Sequence, residues 1–220
     1  MKAIIFDLDG TLFQTEKVAV PAFQETFRYL KEKGRYSGPA PSVMEIQSVF
    51  GLTHDEIWQK LMPGADPLTK AEADRIMLEK ELELLEQGKG ELFPEVEETL
   101  RKLQRAGWGL FIASNGVGPY VRGALESKGI IDLFQDIYTA GDHETKSKVD
   151  LVRICKQNAG ITEGYMVGDR SSDVKAGREN NLTVIGCRYA GFPRFGEEDE
   201  LAVADYKIEA FKDLLTIISV

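Results

Sequence analysis

The chain opens Met1-Lys2-Ala3-Ile4-Ile5-Phe6-Asp7-Leu8-Asp9-Gly10-Thr11-Leu12-Phe13. Ala3 to Phe6 is a short apolar run that stops at two aspartates one residue apart, with Gly10 and Thr11 directly after them. An apolar run of this length, closed by a turn signal, predicts a buried strand. The two carboxylates then stand at its carboxyl end, which is where open α/β sheets bind ligands. Two acids so close repel each other in a dry environment, so a cation belongs beside them. The plain alternative is a strand-to-turn exit with solvated acids, since Asp and Gly are common turn residues. The rest of the chain decides between the two.

Working outward, residues 14–91 read as helical with almost no strand signal. Val18, Ala22, Phe23, Phe27 and Leu30 recur at three- and four-residue steps and describe an amphipathic helix that ends at Gly34. Ser42-x-x-Glu45, Thr53-x-x-Glu56 and Thr69-x-x-Glu72 are capping-box patterns, each before a helical run. Pro39, Pro41, Pro63 and Pro67 fall in the expected connections, so the segment predicts roughly four helices. From Leu92 onward strands and helices alternate. Strands are predicted at 110–113, 137–139, 165–167, 183–187 and 206–208, with helices at 95–106, 117–128, 149–159, 174–180 and 211–218. This alternation implies an α/β fold, a doubly wound parallel sheet with helices on both faces and an inserted all-α segment. Residues 1–13 and 92–220 would form the core and 14–91 a cap.

Composition agrees with a globular protein. The chain has 220 residues, 43% hydrophobic and 29% charged, enough for one large domain or a core with a small insert. Its net charge of -9 and lack of a basic stripe argue against nucleic acid as a partner. An acidic chain that handles an anion needs a divalent cation, local lysines or backbone N–H groups. Cys155 and Cys187 form no C-x-x-C or zinc spacing and read as buried small hydrophobes. No signal pattern or membrane-length apolar run is present, and a cytoplasmic location with no membrane partner is expected. Glu197-Glu198-Asp199-Glu200 reads as a solvated acidic loop.

Three further clusters sit at predicted strand ends. Ser114-Asn115-Gly116 offers a hydroxyl and close backbone N–H groups to a phosphate oxygen, or simply a helix cap. Lys146 and Lys148 precede or open a helix, and with Ser147 as N-cap and Asp150 three residues on, Lys148 falls in the first turn. Gly168-Asp169 ends a strand, and Asp173 follows at the start of the next helix, where the dipole alone also favours an acid.

The order D-x-D-G-T-L, then Ser-Asn-Gly, then a lysine, then G-D-x-x-x-D resembles the haloacid dehalogenase (HAD) superfamily over the whole chain. The resemblance is to its phosphoglycolate phosphatase-like and beta-phosphoglucomutase-like branch with a helical cap. It implies a HAD-like Rossmannoid core and a Mg²⁺-dependent phosphatase. Asp7 would be the nucleophile that becomes an aspartyl-phosphate, and Asp9 the acid–base that serves the leaving alcohol and then water. Ser114 would bind the transferring phosphoryl group, with Asn115 and Gly116 assisting. The motif lysine would be Lys148, with Lys146 as the alternative. Lys148 fits the variant in which the lysine opens the helix, and Lys146 fits the spacing of a K-P-x-P-D form without its prolines. Mg²⁺ would be held by Asp7, the Asp9 main-chain carbonyl and Asp169, with Asp173 outside that ring. A carboxylate at position 9 favours ester hydrolysis or phosphomutase chemistry over dehalogenation. A noncatalytic binding protein on the same scaffold would be expected to lose Asp7, Asp9 or the lysine.

The resemblance also implies a small-molecule phosphate ester as substrate. Phe50 to Glu56 joins two predicted helices and can dip toward the site, with Thr53 and His54 as candidate contacts, although Thr53 also suits an N-cap. Trp58 and Phe50 read as cap core or as an interface, with core favoured. Monomer and homodimer are not distinguished.

Overall fold

The computed structural model describes residues 1–145, 147–196 and 200–220. Its six strands are β1 (Lys2–Phe6), β2 (Gly109–Ser114), β3 (Asp136–Thr139), β4 (Glu163–Gly168), β5 (Thr183–Cys187) and β6 (Tyr206–Ile208). They form one sheet in the order β3-β2-β1-β4-β5-β6, and every neighbouring pair is parallel. The chain leaves β1 for one side of the sheet and returns to β4 on the other. The carboxyl ends of β1 and β4 therefore flank the topological switch point, the crevice where such sheets bind ligands.

Side chains alternate across the sheet because the strand period is two. Ile4, Phe6, Leu110 and Ile112 enter one apolar cluster, while Ala3, Ile5, Phe111 and Ala113 enter the other. The first cluster is covered by α5 (Val96–Arg105), α6 (Gly118–Ser127) and the C-terminal segment through Leu214, the second by α8 (Lys148–Ala159) and α9 (Ser171–Glu179). A further core helix, α7 (Ala140–His143), is a single turn after β3. Cys155 and Cys187 are both buried and free, as their apolar surroundings predict. The closing segment is shorter than expected: a 3₁₀ turn at Phe211–Asp213 leads into α10 (Leu214–Ile217).

Between β1 and α5 lie four helices, α1 (Glu16–Glu32), α2 (Val43–Gln47), α3 (His54–Leu61) and α4 (Pro67–Glu86). They share an apolar cluster of their own that holds Phe23, Phe27, Leu30, Ile46, Trp58 and Met77, with Phe50 also buried in it. The Ser42 box forms, with the Glu45 carboxylate accepting from Ser42 N and the Ser42 hydroxyl accepting from Glu45 N. The box expected at Thr69 does not form. Asp66 caps α4 instead, accepting from Leu68 N and Thr69 N, and Pro67 takes the first helical position. A proline there has no N–H to leave unsatisfied and its φ suits the helix, so Asp-Pro outcompetes Thr69 three residues later.

The chain enters and leaves this helical segment along one short ribbon. Phe13 and Leu92 form an antiparallel bridge, Gln14 N donates to Glu91 O at 2.9 Å, and Phe93 N donates to Leu12 O at 3.0 Å. Among the described residues no helix is long and apolar enough to cross a membrane.

Candidate active site

β1 is held in register by parallel neighbours on both sides, with Phe6 opposite Ile112 and Val167. Asp7 therefore leaves the sheet at its centre, and its own N–H still donates to Val167 O at 2.9 Å. The next residues turn sharply, with the N–H groups of Thr11, Leu12 and Phe13 all converging on Leu8 O. Gly10 makes that turn possible. Its φ is +75°, and a Cβ there would lie 2.3 Å from Asp169 Oδ2.

The turn brings four charged groups together. Lys148 Nζ lies 2.7 Å from Asp7 Oδ1 and 3.0 Å from Asp173 Oδ1, and all three side chains are at most 6% exposed. Lys148 opens α8, where the Ser147 hydroxyl accepts from Val149 N at 3.2 Å. Asp173 sits in the first turn of α9 and reaches back to accept from Arg170 N at 3.0 Å. Its other oxygen, Oδ1, meets Lys148 without a well-aligned hydrogen bond. Asp169 follows β4 and, among the described residues, receives only a long bond, 3.4 Å, from the Thr11 hydroxyl. Oxygens of Asp7, Asp169 and Asp173 lie within 4.8 Å of one another. Lys146, the alternative motif lysine, lies outside the described residues.

Three carboxylates against one ammonium leave two excess negative charges in a buried site. Their protonation behaviour reflects this. Burial pushes Asp7 up, against the pull of Lys148, and burial with Asp173 and Asp7 pushes Asp169 well up. Burial raises Asp173 to about 6 in spite of Lys148. For Lys148 burial acts downward, yet Asp173 and Asp7 outweigh it and the ammonium is held charged. An all-oxygen donor set with an unaligned Asp173 oxygen, a poorly bonded Asp169 and a deficit of two positive charges fits a hard divalent cation such as Mg²⁺.

Asp9 contributes no carboxylate oxygen to that cluster. Its Oδ1 accepts from Thr15 Oγ1 and from Tyr120 OH, each at 2.7 Å. Burial raises its pKa although both bonds favour the anion. Thr15 and Tyr120 were not foreseen as site residues. Tyr120 counts as one more apolar step of α6 in sequence, and only the fold brings it to Asp9, 111 residues away.

Ser114, the last residue of β2, is 1% exposed and its hydroxyl accepts from Gly116 N at 3.1 Å. The Asn115 side chain points elsewhere, donating to Gly51 O at 3.0 Å. Arg170 Nη1 donates to Phe50 O, so the Phe50–Gly51 loop is tied to the ends of both β2 and β4. Asp7, Asp9, Ser114, Asn115, Gly116 and Tyr120 form the floor of a narrow cleft whose walls include Phe23, Phe50, Trp58, Met77 and Glu81. His54 faces this cleft and pairs with Asp74, which also accepts from Trp58 Nε1 at 2.7 Å. Thr53 does not line it; its amide and hydroxyl both donate to Glu56. Glu200 is not a solvated residue as expected from the acidic run. Its side chain is 12% exposed and pairs with Arg170 at 2.8 Å, because a buried guanidinium needs a counter-charge. Glu197, Glu198 and Asp199 lie outside the described residues.

Residues 4–187 match the family model for haloacid dehalogenase-like hydrolases. The chain belongs to this family. It is 27% identical over 233 residues to a phosphoglycolate phosphatase of Vibrio vulnificus, covering 100% of this chain and 97% of that one. It is 26% identical to a putative pyrophosphatase PpaX of Clostridium perfringens, covering 95% of each. Among solved structures, CbbY from Rhodobacter sphaeroides in complex with phosphate superposes with a TM-score of 0.80 at 25% identity, covering 97% of this chain and 96% of that chain. The HAD-type fold and branch expected from the four motifs are those of these relatives.

Proposed function

We propose that this HAD-family hydrolase is a Mg²⁺-dependent phosphatase for small phosphate monoesters. In this reading 1–13 and 92–220 form the catalytic core and 14–91 a cap over it. The observation that carries the proposal is Lys148, buried between Asp7 and Asp173 at the switch point of the sheet. A buried ammonium there offsets the repulsion between an anionic nucleophile and an anionic substrate.

Asp7 Oδ1 is engaged by Lys148 and by Leu8 N at 2.8 Å, which leaves Oδ2 to attack phosphorus. The new Asp7–phosphorus bond forms as the bond to the leaving alcohol oxygen breaks. Asp9, raised by burial, donates its proton to that oxygen, then takes one from the water that cleaves the aspartyl-phosphate. Its Oδ1 is fixed by two hydroxyl donors, so Oδ2 carries the proton. Ser114 accepts from Gly116 N, so its own hydroxyl hydrogen is available for a phosphoryl oxygen. Asp7, Asp169 and the Asp9 main-chain carbonyl are the residues to hold Mg²⁺, with Asp173 fixing Lys148 behind them. Bound there, the ion supplies charge neutralisation and orientation of the phosphate.

Phosphate release from p-nitrophenyl phosphate, with Mg²⁺, with chelator and with Asp7→Asn, tests this. Release should need the metal and vanish in Asp7→Asn. A folded, Mg²⁺-loaded protein that releases nothing, or an Asp7→Asn variant that keeps its activity, would refute it. A trapped phosphorylated Asp7 without net phosphate release would instead mark a phosphomutase.

A further inference from the structure

Glu81 lies in the last two turns of α4, within the charge-rich stretch Glu79-Lys80-Glu81-x-Glu83, where a solvated residue is expected. It is instead 7% exposed and lines the cleft above Asp7 and Asp9. Among the described residues nothing donates a hydrogen bond to it or pairs with it. Burial and the nearby charges of Asp9 and Asp74 push its carboxyl well up. A carboxyl in the cleft with no protein partner is costly to ionise in the free protein, which is the mark of a group whose charged partner arrives from outside.

The rest of the cleft says what that partner is. No described lining residue is a lysine or arginine, and the imidazole of His54 is already held by Asp74. A substrate carboxylate would find no free cation among these residues to receive it. Aromatic side chains, among them Phe23 and Trp58, form the walls. Aromatic faces together with a carboxyl that ionises when a cation arrives suit an ammonium. We infer that Glu81 receives an ammonium group on the alcohol portion of the substrate, so that the esters hydrolysed here are phosphorylated amino alcohols. This rests on the phosphatase reading above and sets the chain apart from the relatives named for phosphoglycolate.

The test compares kcat/KM for three esters of similar size with Mg²⁺: 2-aminoethyl phosphate, propyl phosphate and 2-phosphoglycolate. An ion-paired hydrogen bond at Glu81 should favour the amino ester about tenfold over propyl phosphate and about a hundredfold over phosphoglycolate, chiefly through KM. Glu81→Gln keeps the shape, its fold can be checked by circular dichroism, and it should collapse both ratios toward one. Equal or better turnover of propyl phosphate or phosphoglycolate by the unaltered enzyme, or ratios unchanged in Glu81→Gln, would overturn the inference. p-Nitrophenyl phosphate runs in parallel. Its hydrolysis with the wrong ranking retires the ammonium site alone, whereas no turnover of any ester retires the phosphatase reading. In that case calorimetric binding of the three esters to Mg²⁺-loaded Asp7→Asn protein decides: the same order supports the site and any other order refutes it.

Discussion

Replacing Lys148 with methionine keeps most of the side-chain length and removes the charge. Its ammonium sits 2.7 Å from Asp7 and 3.0 Å from Asp173, with all three groups shielded from water. At an effective dielectric of 20 each contact is worth about 6 kcal/mol of gross attraction. Most of that is offset by the cost of burying the lysine, and breaking such a pair typically costs about 3–5 kcal/mol. Lys148→Met should therefore lose about 3–5 kcal/mol in urea denaturation with chelator at pH 7.5. The loss should shrink on acidification. Asp173 already titrates near 6 in the folded protein, above an unfolded value near 4, and without the lysine it and Asp7 rise further. Groups raised in this way favour the fold below their unfolded pKa and cost stability as pH climbs through the folded one. The variant should thus approach the unaltered protein as pH falls from 7.5 toward 4. A loss under about 1 kcal/mol at pH 7.5, or one that does not change with pH, would show that Lys148 does not compensate these acids.

Other perturbations follow from the same geometry. Tyr120→Phe removes one of two donors that favour ionised Asp9, so the alkaline limb of the pH–rate profile should move upward and kcat fall about tenfold, read from initial rates across pH. Gly10→Ala forces a side chain into positive φ and against Asp169, and Mg²⁺ titration followed by activity should show affinity weakened by at least about tenfold, together with a lower Tm. In chelator the unaltered protein should gain up to about 3 kcal/mol from Asp173 as pH falls from 7.5 toward 4, and added Mg²⁺ should raise Tm more at pH 7.5 than at pH 5.

The opening run was legible because a buried central strand must be apolar and its end must turn, and Ala3–Gly10 carries both signals. Strand–helix alternation after Leu92 was legible for the same reason. Spacing alone did not choose between Lys146 and Lys148, since both lie within a turn of the same helix start, although Ser147 as N-cap pointed to Lys148. The site residues that escaped notice are those whose sequence neighbourhood explains them in another way. Thr15 precedes a helix and resembles a cap, Tyr120 sits on an apolar helical face, and Glu81 hides among solvated charges. Thr69 misled because a good capping pattern stood three residues beyond a better one, Asp66-Pro67.

The ribbon of Phe13 and Leu92 brings the two ends of the four-helix segment side by side, one strand spacing apart. The gap that any replacement segment must close is therefore the same whatever its length or number of helices. The sheet, its acids and Lys148 are all supplied from outside that gap, whereas Glu81 and His54 are inside it. In the proposed reading, the grip on the alcohol can thus be rewritten or transplanted from another protein while Asp7, Asp169, Asp173 and Lys148 stay in place, provided the new segment keeps a donor to Asp9 where Thr15 now stands.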